Sequence, residues 1–244
     1  MSTEFNYEEQ YPAEVSEARL NELFAGVMQR VYGWMSLGLL LTTVVALLTL
    51  TSETILSLVF GNMLIFWGLF IGELILVISV SRAVSRLSSG AGLALFFAYS
   101  ALNGVTLSVI FLAYGLGTIL LAFGTTTLIF IVLTVVGLTT KEDLTKWGPI
   151  LFVGLLGIIL ASVVNFFFAS TALDWAVTYL GILIFMGLIV YDSNMIKKAT
   201  YAAVLQGNSG QQVLNGIAVM GALRLYLDFI NLFLRLLRVL GRRR

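Results

Sequence analysis

Seven apolar runs, each close to the length that crosses a hydrocarbon layer, occupy most of this chain. They fall near residues 33–50, 55–80, 91–114, 118–138, 149–169, 175–191 and 213–240. A helix of about 20 apolar residues spans the membrane core. Composition agrees: mean hydropathy is +0.99. Charged residues are 11%, against about 25% in a soluble domain. The fold class this predicts is an all-α integral membrane protein with seven transmembrane helices. A chain of 244 residues leaves no room for a second, soluble domain.

The segments outside the runs set the domain plan and the orientation. Residues 1–18 are acidic and polar, contain Pro12, and read as a disordered tail. Residues 19–244 form one seven-helix membrane domain. Within it, Leu20, Leu23, Phe24, Val27 and Val31 share a face of a short interfacial helix before the first span. The start lacks the pattern of a cleaved signal peptide. Residues 1–32 carry six acids against Arg19 and Arg30, a net of −4, whereas residues 235–244 carry five arginines and no acid. The loops after spans one, three and five hold no Lys or Arg. Those after spans two, four and six hold Arg82 and Arg86, Lys141 and Lys146, Lys197 and Lys198. The positive-inside rule puts these three loops and the N-terminus in the cytoplasm. Seven crossings then leave the arginine-rich C-terminus outside, against the same rule. Pro12 and Pro149 both lie outside helix interiors, so no proline kink is expected. Gly68 and Gly72, and the stripe Ser100, Gly104 and Ser108, are spaced for close helix packing within the monomer.

The last span carries a polar stripe. Arg224, Asp228, Asn231, Arg235 and Arg238 recur at helical steps and project from one face. Charge at membrane depth is costly unless it faces protein, water, a partner charge or the headgroups. The segment is therefore expected at the centre of a bundle. Asp192, placed at the cytoplasmic end of span six, and Asp228, midway along span seven, could meet if those helices are neighbours. Two carboxylates in a poorly hydrated site cannot both ionise cheaply, so they would share a proton and titrate as a pair. Ionised, the pair offers oxygen ligands to a hard cation; protonated, it releases it. The bland alternative is that Arg224, four residues before Asp228, neutralises it. Glu73 in span two is a secondary acid, and Arg235 and Arg238 read as interfacial anchors.

No cysteine and no histidine occur. Disulfides, thiolate chemistry, the commonest metal ligand and the usual near-neutral switch are thus excluded. There is no HExxH, P-loop or GxSxG motif, so no enzyme is expected. An aspartyl intramembrane protease would have to use Asp192 and Asp228, but no Gly-x-Gly-Asp motif is present.

Four stretches resemble the Bax inhibitor-1 family. Residues 222–233, ALRLYLDFINLF, are similar to its last-span signature, and Tyr191–Asp192 to its span-six aspartate. Residues 99–107, YSALNGVTL, resemble its third span, and residues 31–35, VYGWM, the approach to span one in the bacterial YbhL/YccA-like branch. The resemblance covers about residues 25–241. It implies a last helix surrounded by the other six and a pH-sensitive calcium leak. Asp192 and Asp228 would be the sensor pair and a low-affinity Ca²⁺ site. An arginine near the end of span two, Arg86 or Arg82, would be the latch, with Arg224 as a competing counter-charge. The membrane would be a bacterial inner membrane. No cofactor is expected beyond Ca²⁺ as the permeant ion, and the partners would be lipid, Ca²⁺ and H⁺, with no nucleic acid. The alternative is a regulatory membrane protein that acts on a membrane protease or another integral partner without transport. A coupled transporter is a third reading, marked by saturable uphill flux.

Overall fold

The computed structural model describes residues 16–86 and 88–241, and among them there is no strand. Helices run in the order α1 (Glu17–Leu50), α2 (Glu53–Gly61), α3 (Met63–Arg86), α4 (Ser89–Leu107), α5 (Val109–Ala113) and α6 (Leu116–Thr139). A 3-10 turn (Leu144–Lys146) leads into α7 (Trp147–Phe168), α8 (Thr171–Leu205) and α9 (Gln211–Leu240). Seven segments are long and apolar enough to cross a membrane: α1, α3, α4 with α5, α6, α7 with its leading turn, α8 and α9. The chain is an all-α, multi-pass integral membrane protein.

Local chemistry explains the starts and stops. Ser16, Ser52 and Ser88 accept from backbone N–H groups in the first turns of α1, α2 and α4. Asn62 Oδ1 accepts from Leu64 N at 3.0 Å and so starts α3. Pro149 sits in the first turn of α7, where no intrahelical N–H bond is lost. Ala169 ends that helix in the left-handed region, at φ 47°.

Several boundaries differ from the sequence reading. The helix of α1 begins at Glu17, so the tail boundary drawn after residue 18 falls inside it; residues 1–15 of that tail lie outside the described residues. The interfacial helix and the first span are one continuous helix of 34 residues. Span two is split at Asn62, because its side chain caps the following helix. Span three is interrupted at Ser108, whose hydroxyl turns back to Val105 O at 2.7 Å. Asp192 is not at a helix end, because α8 continues to Leu205.

The chain divides into two compact units. One holds α1 to α5, the end of α8 from Ala199 and α9 as far as Tyr226. Here α4 packs on α1 and α3. The closest approach to another helix's backbone is at Gly104, where a methyl would stand 2.6 Å from Thr42 O; Ser100 and Gly104 do bring helices together. Gly68 faces open space. Toward the ends of these helices, Tyr201 donates to Asn21 Oδ1 at 3.0 Å, and Arg30 donates to Asn215 Oδ1 at 2.7 Å.

The other unit holds Tyr114–Lys198 and α9 from Leu227. Gly137 of α6 lies directly against the backbone at Val190 of α8 and leaves no room for a methyl. Asn194 Nδ2 donates to Gly137 O at 3.1 Å and Lys197 Nζ to Leu138 O at 2.9 Å, which caps the last carbonyls of α6 from α8. Phe123 and Phe130 of α6 meet Phe229 of α9 edge to face. Burial ranks the spans: 67% of the apolar window of α9 is buried, against 6% in α3 and in α7. The last helix is the most deeply buried of the spans, and α3 and α7 are the least.

Candidate functional site

The inner face of α8 carries Asp174, Thr178, Gly181, Phe185, Ile189 and Asp192 at helical steps. Thr178 and Ile189 have no exposed surface, and Asp192 is 8% exposed. The facing stripe of α9 carries Asp228, Asn231, Arg235 and Arg238, with Asp228 at 4% exposure. Asn231 Nδ2 donates to Leu227 O at 2.8 Å, inside its own helix.

Two contacts fix how these faces meet. Arg238 Nη2 and Asp174 Oδ2 form an ion pair. Arg235 lies across Gly181, where a methyl would come 2.9 Å from Nε. Asp174 opens α8 and Arg238 closes α9, so the helices run antiparallel and each charge suits its helix end. Counted along the helices from the Gly181–Arg235 and Asp174–Arg238 contacts, Asp192 and Asp228 differ in depth by about one to two turns, ~6–12 Å. Both expected sensor residues thus lie buried in one unit, on directly packed helices. The next two residues along α8 are polar and buried as well: Ser193 has no exposed surface and Asn194 is 3% exposed.

The other singled-out residues belong to the first unit. Arg82 and Arg86 are exposed near the end of α3, and Arg224 is exposed although its neighbours Leu223 and Leu225 are buried. Glu73, 9% exposed, accepts from Thr106 Oγ1 at 2.7 Å. Arg238, expected from the sequence as an interfacial anchor, pairs with Asp174.

Sequence reasoning missed a buried polar network in the first unit. Tyr226 OH is 2.6 Å from Thr42 Oγ1 and donates to Asn103 Oδ1 at 3.3 Å, and Asn103 Nδ2 donates to Tyr99 OH at 3.3 Å. Tyr99, Asn103 and Thr106 recur at helical steps along α4, and that spacing was the available signal. The Asp174 partner of Arg238 was equally visible as an acid in the first turn of span six.

Comparison with known proteins places the chain among relatives along nearly its whole length. The family model described as "Inhibitor of apoptosis-promoting Bax1" matches residues 25–244. The inner membrane protein YbhL of Escherichia coli is 45% identical over 224 residues, covering 89% of this chain and 92% of that one. An uncharacterized protein of Borreliella burgdorferi is 45% identical over 217 residues, with the same two coverages. An uncharacterized membrane protein of Streptococcus pyogenes is 39% identical over 229 residues, covering 93% and 95%.

Proposed function

Because this chain belongs to the Bax inhibitor-1 family, we propose that it is a passive, proton-regulated Ca²⁺ leak of a bacterial inner membrane. The observation that carries the reading is the burial of Asp192 and Asp228 in one unit, on helices in direct contact. Buried intramembrane carboxylates are functional by default. At low pH the pair holds a proton and no net site exists for a cation. As pH rises it ionises, and the second charge is relieved by a divalent cation.

The chemistry suits a leak rather than a store. Ca²⁺ takes about six to eight oxygens, and two carboxylates supply at most about four. Among the described residues no cluster of three or more acidic or other metal-ligating side chains occurs. Backbone carbonyls and water would complete the shell, and the weak grip lets the ion leave again. The counter-charge role of Arg86, Arg82 or Arg224 is separated by neutralising each in turn.

The test is Ca²⁺ flux into liposomes that hold the purified full chain, across pH, for wild type, Asp192→Asn and Asp228→Asn. One titrating proton changes the ionised fraction by up to about tenfold per pH unit. Wild-type flux should follow such a curve, and Asp228→Asn should flatten it. A variant with an unchanged pH profile removes the sensor assignment. Absence of flux at every pH removes the leak.

A further inference from the structure

Arg235 stands apart from the other polar residues of α9. It is half-buried, and its Nε, Cδ and Cζ fill the space that a side chain at Gly181 would need, at 2.9, 3.2 and 3.4 Å from a built Cβ. Gly181 is buried, so the guanidinium is laid over the inner face of α8. Arg238 takes the Asp174 carboxylate. Arg235 is within electrostatic reach of both, but no hydrogen bond or ion pair joins it to another described residue. Among the described residues, one acid and two arginines leave a net charge of +1 at this end of the α8–α9 seam. On the same helix face Asp228 lies two turns away, about 10 Å along the axis, with Asn231 between.

We infer that Arg235, seated in the notch at Gly181, is an electrostatic filter that repels cations at the end of the seam remote from the 206–210 connection. A cation moving along α9 toward Asp228 from that end passes the Arg238–Asp174 pair and then meets the Arg235 guanidinium. The repulsion acts on the ion's charge, so a divalent ion is held back by the square of the factor that holds back a monovalent one. Gly181 makes this possible, because any larger residue would push the guanidinium out of the seam.

The chain has no cysteine, so Asn231→Cys gives a single thiol one turn inward from Arg235. The experiment measures its reaction, in the full chain in liposomes, with an anionic and a cationic methanethiosulfonate. Each rate is normalised to that of a free thiol. The anionic reagent should be favoured when Arg235 is present. Arg235→Gln should lower the anionic-to-cationic ratio by roughly tenfold, and Arg235→Lys should keep it. A changed thiol acidity affects both reagents alike and cancels in the ratio. A ratio that Arg235→Gln leaves unmoved, or a thiol that neither reagent reaches, overturns the filter.

A second arm rests on the leak reading: Arg235→Gln should raise Ca²⁺ flux by the square of its effect on K⁺ flux, whereas simple loosening of the helices would raise both equally. Wild-type liposomes without flux would sink the leak alone, and the thiol rates would still decide the role of Arg235.

Discussion

Tyr226 has no exposed surface, and its hydroxyl touches Thr42 of α1 and Asn103 of α4. Its ring also meets Phe96 and Tyr99 edge to face. Tyr226→Phe keeps the ring and removes only the hydroxyl. Side-chain hydrogen bonds inside membrane proteins are worth about 0.6 kcal/mol on average and up to about 1.7. We expect a loss in that range, read from reversible unfolding in mild detergent. The residue scale also shows what periodicity can and cannot say. Arg224 and Asp228 are four apart and share a helix face, yet Arg224 is exposed and Asp228 is buried. Spacing gives direction around one helix. It does not give the neighbour at each height, and α9 passes from one compact unit to the other between Tyr226 and Leu227. The acids were legible for another reason: a charge at membrane depth is costly wherever it points. The Gly181 notch was not legible, because a glycine in a span has no signature of what lies across it.

Helix α8 shows why element ends are harder to read than their cores. Hydropathy falls at Asp192, Ser193 and Asn194, which predicts the end of the span there. The helix continues because no breaker follows before Gly207, which adopts φ 72°. Its polar side chains find partners instead, with Asn194 and Lys197 capping α6. At Gly137, on the other side of this junction, Gly137→Ala should cost about 1–3 kcal/mol, because the methyl meets backbone at Val190. A detergent melting curve identical to wild type would contradict that packing. Ala169→Gly should raise stability slightly, by up to about 1 kcal/mol, since the left-handed cap then carries no Cβ penalty. The loop before α7 supplies a pH prediction. Lys198 donates to Asp143 at 2.7 Å, and Thr145 bonds the same carboxyl. These bonds, Lys198 first, hold the Asp143 carboxyl well below the usual carboxylate range. A carboxyl with a lowered native pKa adds stability above its unfolded pKa of about 3.8 and loses it as pH falls through the native value. Asp143→Asn should therefore melt earlier than wild type near neutrality, and the gap should close in strong acid. A gap that stays constant with pH would point to the hydrogen bonds rather than the charge.

For the whole molecule, the number of spans was legible because apolar runs of membrane length have few other uses. The division into two compact units was not, since it depends on which distant helices pack together. The loop charges predict that residues 140–146 and 206–210 lie on opposite sides from the loop at 169–170 only if all six loops alternate. By that count the loops after spans two, four and six, which include 140–146 and 206–210, all share the cytoplasmic side. Single cysteines at Thr140, Ser170 and Ser209, in this cysteine-free background, test it with an impermeant thiol reagent on intact cells. Ser170 should label from outside, and Thr140 and Ser209 only after lysis. Labelling of Ser209 from outside would invert the last hairpin. The length of α8 has one more consequence. Its 35 residues extend about 52 Å. Fitting them inside ~30 Å of hydrocarbon would take a tilt of about 55°, beyond the range of about 40° seen for membrane helices. Part of the helix therefore stands clear of the bilayer, braced by Tyr201 on Asn21. A rigid helical bundle grafted in frame between Leu205 and Gln211 would ride on this stalk as a fixed landmark for single-particle imaging, which a 26.7 kDa membrane protein otherwise lacks.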